Sequence, residues 1–184
     1  MNNVFNKVLL SGNARAHLLV AVFAVFTISL LAGQSVPPDS LPQVKATFSS
    51  AAPRAVEDLT ERSIVRDYKS AWQNLGSALS SNSPELLDNY FVGPAKAGLA
   101  NAIMGQEKSG IRAHYLKQDH KLEAVFYSPE GDVMQLHDTA QYDLQLVADG
   151  KTIQDEHVVL HYVVLMTPAA DRWVVRQLQA VPQF

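Results

Sequence analysis

The chain of 184 residues contains no cysteine. That absence excludes a disulfide framework, a thiol nucleophile, a cysteine-ligated zinc site and a lipidated N-terminal cysteine. Charge is sparse, with 15 basic and 18 acidic residues and no basic run. Lys7 and Arg15 are the only basic residues among the first 33, so the remainder carries 13 basic against 18 acidic residues, a net of −5. Phosphate backbones are held by basic stripes, so nucleic acid is not an expected partner. The common catalytic signatures are missing as well: there is no G-x-S-x-G, no H-E-x-x-H and no paired-carboxylate motif. "GPAKAGLANAIMGQ" is rich in small residues but lacks G-K-[ST] and follows no strand, so it is not a phosphate loop. No cofactor is expected.

The chain opens with a basic region, residues 1–17, followed by an apolar run over 18–33 that ends in small residues. A basic front, an apolar middle and a small-residue end read as an export signal. The rival reading is an uncleaved membrane anchor over 18–36. The run of 16 residues falls short of the about 20 that span a bilayer upright. Against cleavage, no A-x-A site is present, which tips the balance toward the anchor. Either way the rest of the chain is expected outside the cytoplasm, because basic residues stay inside. That means facing the periplasm from the inner membrane, or secreted if the signal is cleaved. Residues 37–55 are rich in proline and serine, show no helical or strand period, and read as a linker.

The folded domain is expected over 56–184. Leu59, Ile64, Tyr68, Trp72, Leu75 and Leu79 recur at steps of three and four, which predicts an amphipathic helix over 56–80. Ser83 and Pro84 start a short second helix, and 95–106 forms a third. Alternation then predicts four strands, over 122–127, 134–146, 152–166 and 173–181, joined by "SPEGD", "ADG" and "TPAAD" turns. Helices followed by an antiparallel meander make an α+β domain. A bulged turn at Gly150 would pair Val147 with Lys151 and His137 with His161. It leaves Met134, Leu136, Asp138, Ala140 and Tyr142 on an inner face. On the last strand, Trp173, Val175 and Gln177 are expected to share one face.

"IVRDYKSAWQNLGSALSSNSPELLDNYFVG", "LEAVFYSPEGDVMQLHDTAQYDLQL" and "HYVVLMTPAADRWVVRQLQAV" resemble the helices and strand pairs of NTF2-like (cystatin-like) α+β domains. In layout they are similar to membrane-tethered members of the IMS-type or VirB8-like kind. The resemblance implies N-terminal helices packed on a curved four-stranded antiparallel sheet that encloses a cone. Some members use that cone as an active site, as in SnoaL-like and ketosteroid-isomerase-like enzymes. Others fill it with side chains and serve as binding or dimerising modules.

Asp138 is the one catalytic candidate, since a carboxylate in an apolar cone has a raised pKa and can act as general acid or base. Tyr68, Trp72, Tyr142, Tyr162 and Trp173 complete a candidate ligand pocket, although aromatics at such spacing are more often core. His137, Gln141, Val159, His161 and Val163 share the outer sheet face and are the candidate contact surface. His157 and His161, four residues apart on a strand, are about 13 Å apart and cannot share one ion, so no metal site is expected. His114 and His120 have no nameable partner. The reading that follows is a non-enzymatic binding or assembly domain of the cell envelope, contacting an envelope protein or a second copy of the chain. The alternative is an enzyme or small-ligand carrier using the cone.

Overall fold

A computed structural model describes residues 41–184. The basic region, the signal or anchor segment and the first residues of the linker lie outside the described residues. Among the described residues no helix is long and apolar enough to cross a membrane.

The first helix, α1 (Asp58–Ser81), forms where the apolar period is strongest. Ile64, Tyr68, Ala71, Trp72, Leu75, Ala78 and Leu79 are buried along one stripe. Asp58 and Glu61 in the first turn complement the positive end of the helix dipole. Leu59, expected in the stripe, is instead 73% exposed. The helix stops at Asn82, which takes the left-handed conformation (φ 55°) and lets its N–H reach the Ala78 carbonyl. A single 3-10 turn (Pro84–Leu87) follows. The second α-helix, α2 (Gly93–Lys108), is weakly amphipathic and buries Ala95, Leu99, Ile103 and Gln106. Gln106 ties the helices to each other: its Nε2 donates to the Leu79 carbonyl at 2.6 Å and to Asn82 Oδ1 at 2.5 Å.

The sheet corrects the cone expectation. It has six strands, not four: β1 (Gln43–Thr47), β2 (Ala52–Pro53), β3 (Ile111–Tyr127), β4 (Met134–Ala148), β5 (Lys151–Pro168) and β6 (Trp173–Val181). The order is β1-β3-β4-β5-β6, with β2 also on β3. β1 and β6 stand at opposite edges and do not pair, so the sheet is open. It is also mixed, since β1 and β2 run parallel to β3. The NTF2-like assignment, with its curved four-stranded cone and its membrane-tethered subtypes, is therefore replaced by an α+β fold in which helices cover one face of an open six-stranded sheet. Both extra strands lie in the stretch read as linker. Val44 and Ala46 are the only inward positions of β1, too few to show a period, and their cross-strand partners on β3, His120 and Leu122, lie 76 residues away.

Three further differences in register bear on the site. First, β3 begins at Ile111, eleven residues before the expected strand. A bulge between Leu116 and Asp119, with Lys117 at φ 51°, switches which parity faces inward and hides the alternation. Second, the β4–β5 turn is the two-residue Asp149-Gly150 form, with both residues at positive φ, and Ala148 pairs with Lys151. The bulge sits further along, where Leu146 and Val147 face Gln154 and Thr152. The net offset from the expected register is two residues. The faces are therefore as read, but each cross-strand partner differs. Third, β6 has an irregularity that skips Arg176, and Trp173, Val174 and Val175 are all buried.

Candidate functional site

The interior between α1 and the sheet centres on Asp138. Tyr68 and Trp72, one turn apart on α1, point down onto β3, β4 and β5, with their rings 6.3 Å apart. From β3, the bulge brings His120 inward. From β4 come Asp138 and Tyr142, and from β5 comes Tyr162, directly opposite Asp138. Asp138 Oδ2 accepts a hydrogen bond from the Tyr68 hydroxyl at 2.7 Å and lies 2.8 Å from His120 Nδ1. Nδ1–H is the donor when Asp138 is ionised, because a carboxylate can only accept. Asp138, His120 and Tyr68 have no solvent exposure.

Aromatic rings fill the space around this triad. Trp72 lies 4.3 Å from the His120 ring and meets Tyr162 edge-on at 5.6 Å. Tyr142 stacks on Tyr115 at 4.4 Å. Burial, reinforced by the Asp138 charge, pushes the Tyr68 hydroxyl well above its ordinary pKa, so it remains a donor. Burial likewise raises Tyr115, Tyr142 and Tyr162. Among the described residues His120 Nε2 and Asp138 Oδ1 find no hydrogen-bond partner. Such orphaned atoms cost stability, which the charge-assisted bonds on Oδ2 offset.

Of the six pocket candidates, five come together: Tyr68, Trp72, Asp138, Tyr142 and Tyr162. They meet as core, none of them more than 3% exposed. Trp173 lies elsewhere. Its ring packs 6.4 Å from Tyr127, and its backbone N–H donates to the buried Asp67 carboxylate at 2.8 Å. Arg66 pairs with that same carboxylate. An open hollow at one end of the sheet is lined by Asp132, Val133, Leu165, Thr167, Pro168 and Arg176, none of which is a candidate residue. Asp138 has the polar partners of a general base and no solvent exposure.

The contact candidates lie on the opposite face. His137, Gln141, His161 and Val163 are half-buried and Val159 is 49% exposed. The observed pairs are His137 with Val163, Thr139 with His161, and Gln141 with Val159. His137 and His161 are thus diagonal neighbours and not the facing pair expected. His161 Nδ1 meets Thr139 Oγ1 at 3.2 Å. Lower on the face, Asp143 lies 2.9 Å from His157 Nδ1 and 3.0 Å from Lys117 Nζ. His157 first, and then Lys117, hold the Asp143 carboxyl below its ordinary pKa. Among the described residues no group of three or more His, Cys, Asp or Glu side chains is placed to hold a metal ion.

Sequence reasoning missed His120 and Phe184. His120 is two residues before Leu122, so carrying the alternation back one step would have placed it on the inner face. Phe184 stacks on His137 with ring centres 4.2 Å apart and planes 4° from parallel, and meets His161 edge-on at 5.1 Å. No pattern in the chain announces that contact, since it follows a proline outside any strand.

No protein-family model and no curated protein sequence matches the chain. Among solved structures it is similar to the intermembrane space region of the chloroplast protein ARC6, at 14% identity and a TM-score of 0.54 over 70% of this chain and 98% of that one. At that identity the likeness is one of fold. A de novo designed β-sheet protein aligns with 65% of this chain and 88% of its own at 14% identity, with a TM-score of 0.34 that carries no argument.

Proposed function

We propose that this is a non-enzymatic binding or assembly domain that works outside the cytoplasm, in a cell envelope. It makes its contacts through the outer face of β4 and β5. The observation that carries this reading is the filling of the interior: Trp72, Tyr162 and Asp138 occupy the volume that a ligand would need. The ligand-carrier alternative requires an open cavity of about 300 Å³ or more there. The face bearing His137, Gln141, Val159, His161 and Val163 mixes aliphatic with neutral polar groups, a composition suited to a partner that comes and goes. A basic-then-apolar opening supports export, and the fold likeness to a domain of an intermembrane space is in keeping with it.

Val159→Glu places a charge in the middle of the face. The variant is expected to fold with a stability within about 0.5 kcal/mol of the parent, as surface substitutions do. Cross-linking in intact cells should yield an adduct, with an envelope protein or with a second copy, that this variant loses. A chain that stays monomeric by light scattering and yields no adduct would end the proposal.

A further inference from the structure

Phe184 does not trail into solvent. β6 ends at Val181, which pairs with His161, and Pro182 cannot continue the ladder. The chain turns back over the sheet, and the Phe184 ring enters a notch between diagonal neighbours. His137 offers a ring face and His161 an edge. Thr139 ties down the His161 ring through Nδ1, and Val163 lies across from His137 as an aliphatic neighbour. Two rings set at nearly right angles about a third are suited to an aromatic guest, because stacking and edge contacts both exploit the ring quadrupole. Yet Phe184 remains 53% exposed. A ring that keeps about half its surface in water is easily displaced.

We propose that His137 and His161 form a slot for an aromatic side chain, which Phe184 occupies in the free chain and which an aromatic residue on an extended partner segment takes in the complex. This rests on the reading of the outer face as the contact surface and names the chemistry of what it binds. Phe184 then acts as an internal competitor. An aromatic contact of this kind favours the closed arrangement about 2- to 10-fold. Occupancy by Phe184 therefore weakens partner binding about 3- to 11-fold, the usual cost of binding to a state that is only partly populated.

The test uses the full chain, its Phe184→Ala variant, and the capped peptide acetyl-Ala-Val-Pro-Gln-Phe-amide, which carries the chain's own ring. In carbon-resolved NMR spectra the His137 ring protons should be shifted upfield in the parent and lose that shift in Phe184→Ala. Adding the peptide to Phe184→Ala should restore the shift, with an affinity about 3- to 11-fold higher than for the parent. The same peptide with Leu in place of Phe should bind several-fold more weakly, read on the Val163 methyl signals, and the Phe peptide should leave the His161 ring protons of the double variant His137→Ala/Phe184→Ala unshifted. The proposal is overturned if the His137 shift is the same in parent and Phe184→Ala. It is equally overturned if the Phe peptide restores nothing at about 5 mM, enough to reveal millimolar binding, or if the Leu peptide binds as tightly as the Phe peptide. A dimer that needs Phe184 would replace it with exchange of tails between two copies. If the peptide fails while Val159→Glu still removes the cellular adduct, the slot falls and the contact face stands. If the peptide binds while the adduct survives Val159→Glu, the contact face falls and the slot stands.

Discussion

Asp138 shows how the surroundings of one residue decide what it can do in the fold. The alternation of β4 puts it inside, and inside it is. Its carboxylate is held by Tyr68 and His120 in the buried interior, so it ties α1, β3 and β4 together. Tyr68→Phe removes one charge-assisted donor while keeping the ring. Urea unfolding should show a loss of about 1.5–3 kcal/mol, the worth of a hydrogen bond to a charged group. Asp138→Ala strands both donors and should cost more, about 3–5 kcal/mol, as when one partner of a buried pair is removed. If either variant is as stable as the parent, the triad is not the tie described. Pairing of Asp138 with His120 was not legible locally, because the two residues lie on different strands and meet only through the β3–β4 register.

At the scale of elements, period and punctuation carried most of the information. The long helix, the proline-led 3-10 turn and the last three strands were readable because their apolar residues recur at the spacing of the element. What escaped notice depended on a bulge or on a distant partner. β3 was shortened because its bulge breaks the alternation, and β1 and β2 were missed because a two- or five-residue strand has no period to read. The Asp149-Gly150 turn demands left-handed backbone at both positions, which Gly150 (φ 71°) meets without strain. A Cβ at Gly150 would meet no neighbour, so any effect there is purely one of backbone. Gly150→Ala is expected to cost about 1–2 kcal/mol, measured by thermal or urea unfolding, with the outer-face pairs unchanged in NMR spectra.

For the whole molecule, the packed tyrosines set the pH range over which it is stable. Tyr68, Tyr115, Tyr142 and Tyr162 all have pKa values raised in the folded state, chiefly by burial. In the unfolded chain each titrates near 10. Their contribution to stability is therefore fully present below about pH 10, and it falls as pH rises further, because only the unfolded state then releases protons. Each such group removes up to about 1.4 kcal/mol per pH unit. The urea midpoint should fall steeply above about pH 10. Absorbance at the phenolate band should show these four tyrosines ionising only together with unfolding. A gradual titration of all six tyrosines in the folded protein would contradict the packing described.

The sequence by itself determined the α+β class of fold and the face on which most β4 and β5 residues lie, because these rest on local period. Only the tertiary structure decided that the sheet is open and six-stranded, that the interior is filled, and that His120 and Phe184 have partners. Strand pairing and ring packing join residues far apart in the chain. Their geometry depends on bulges and offsets of one or two residues, which local propensity does not encode.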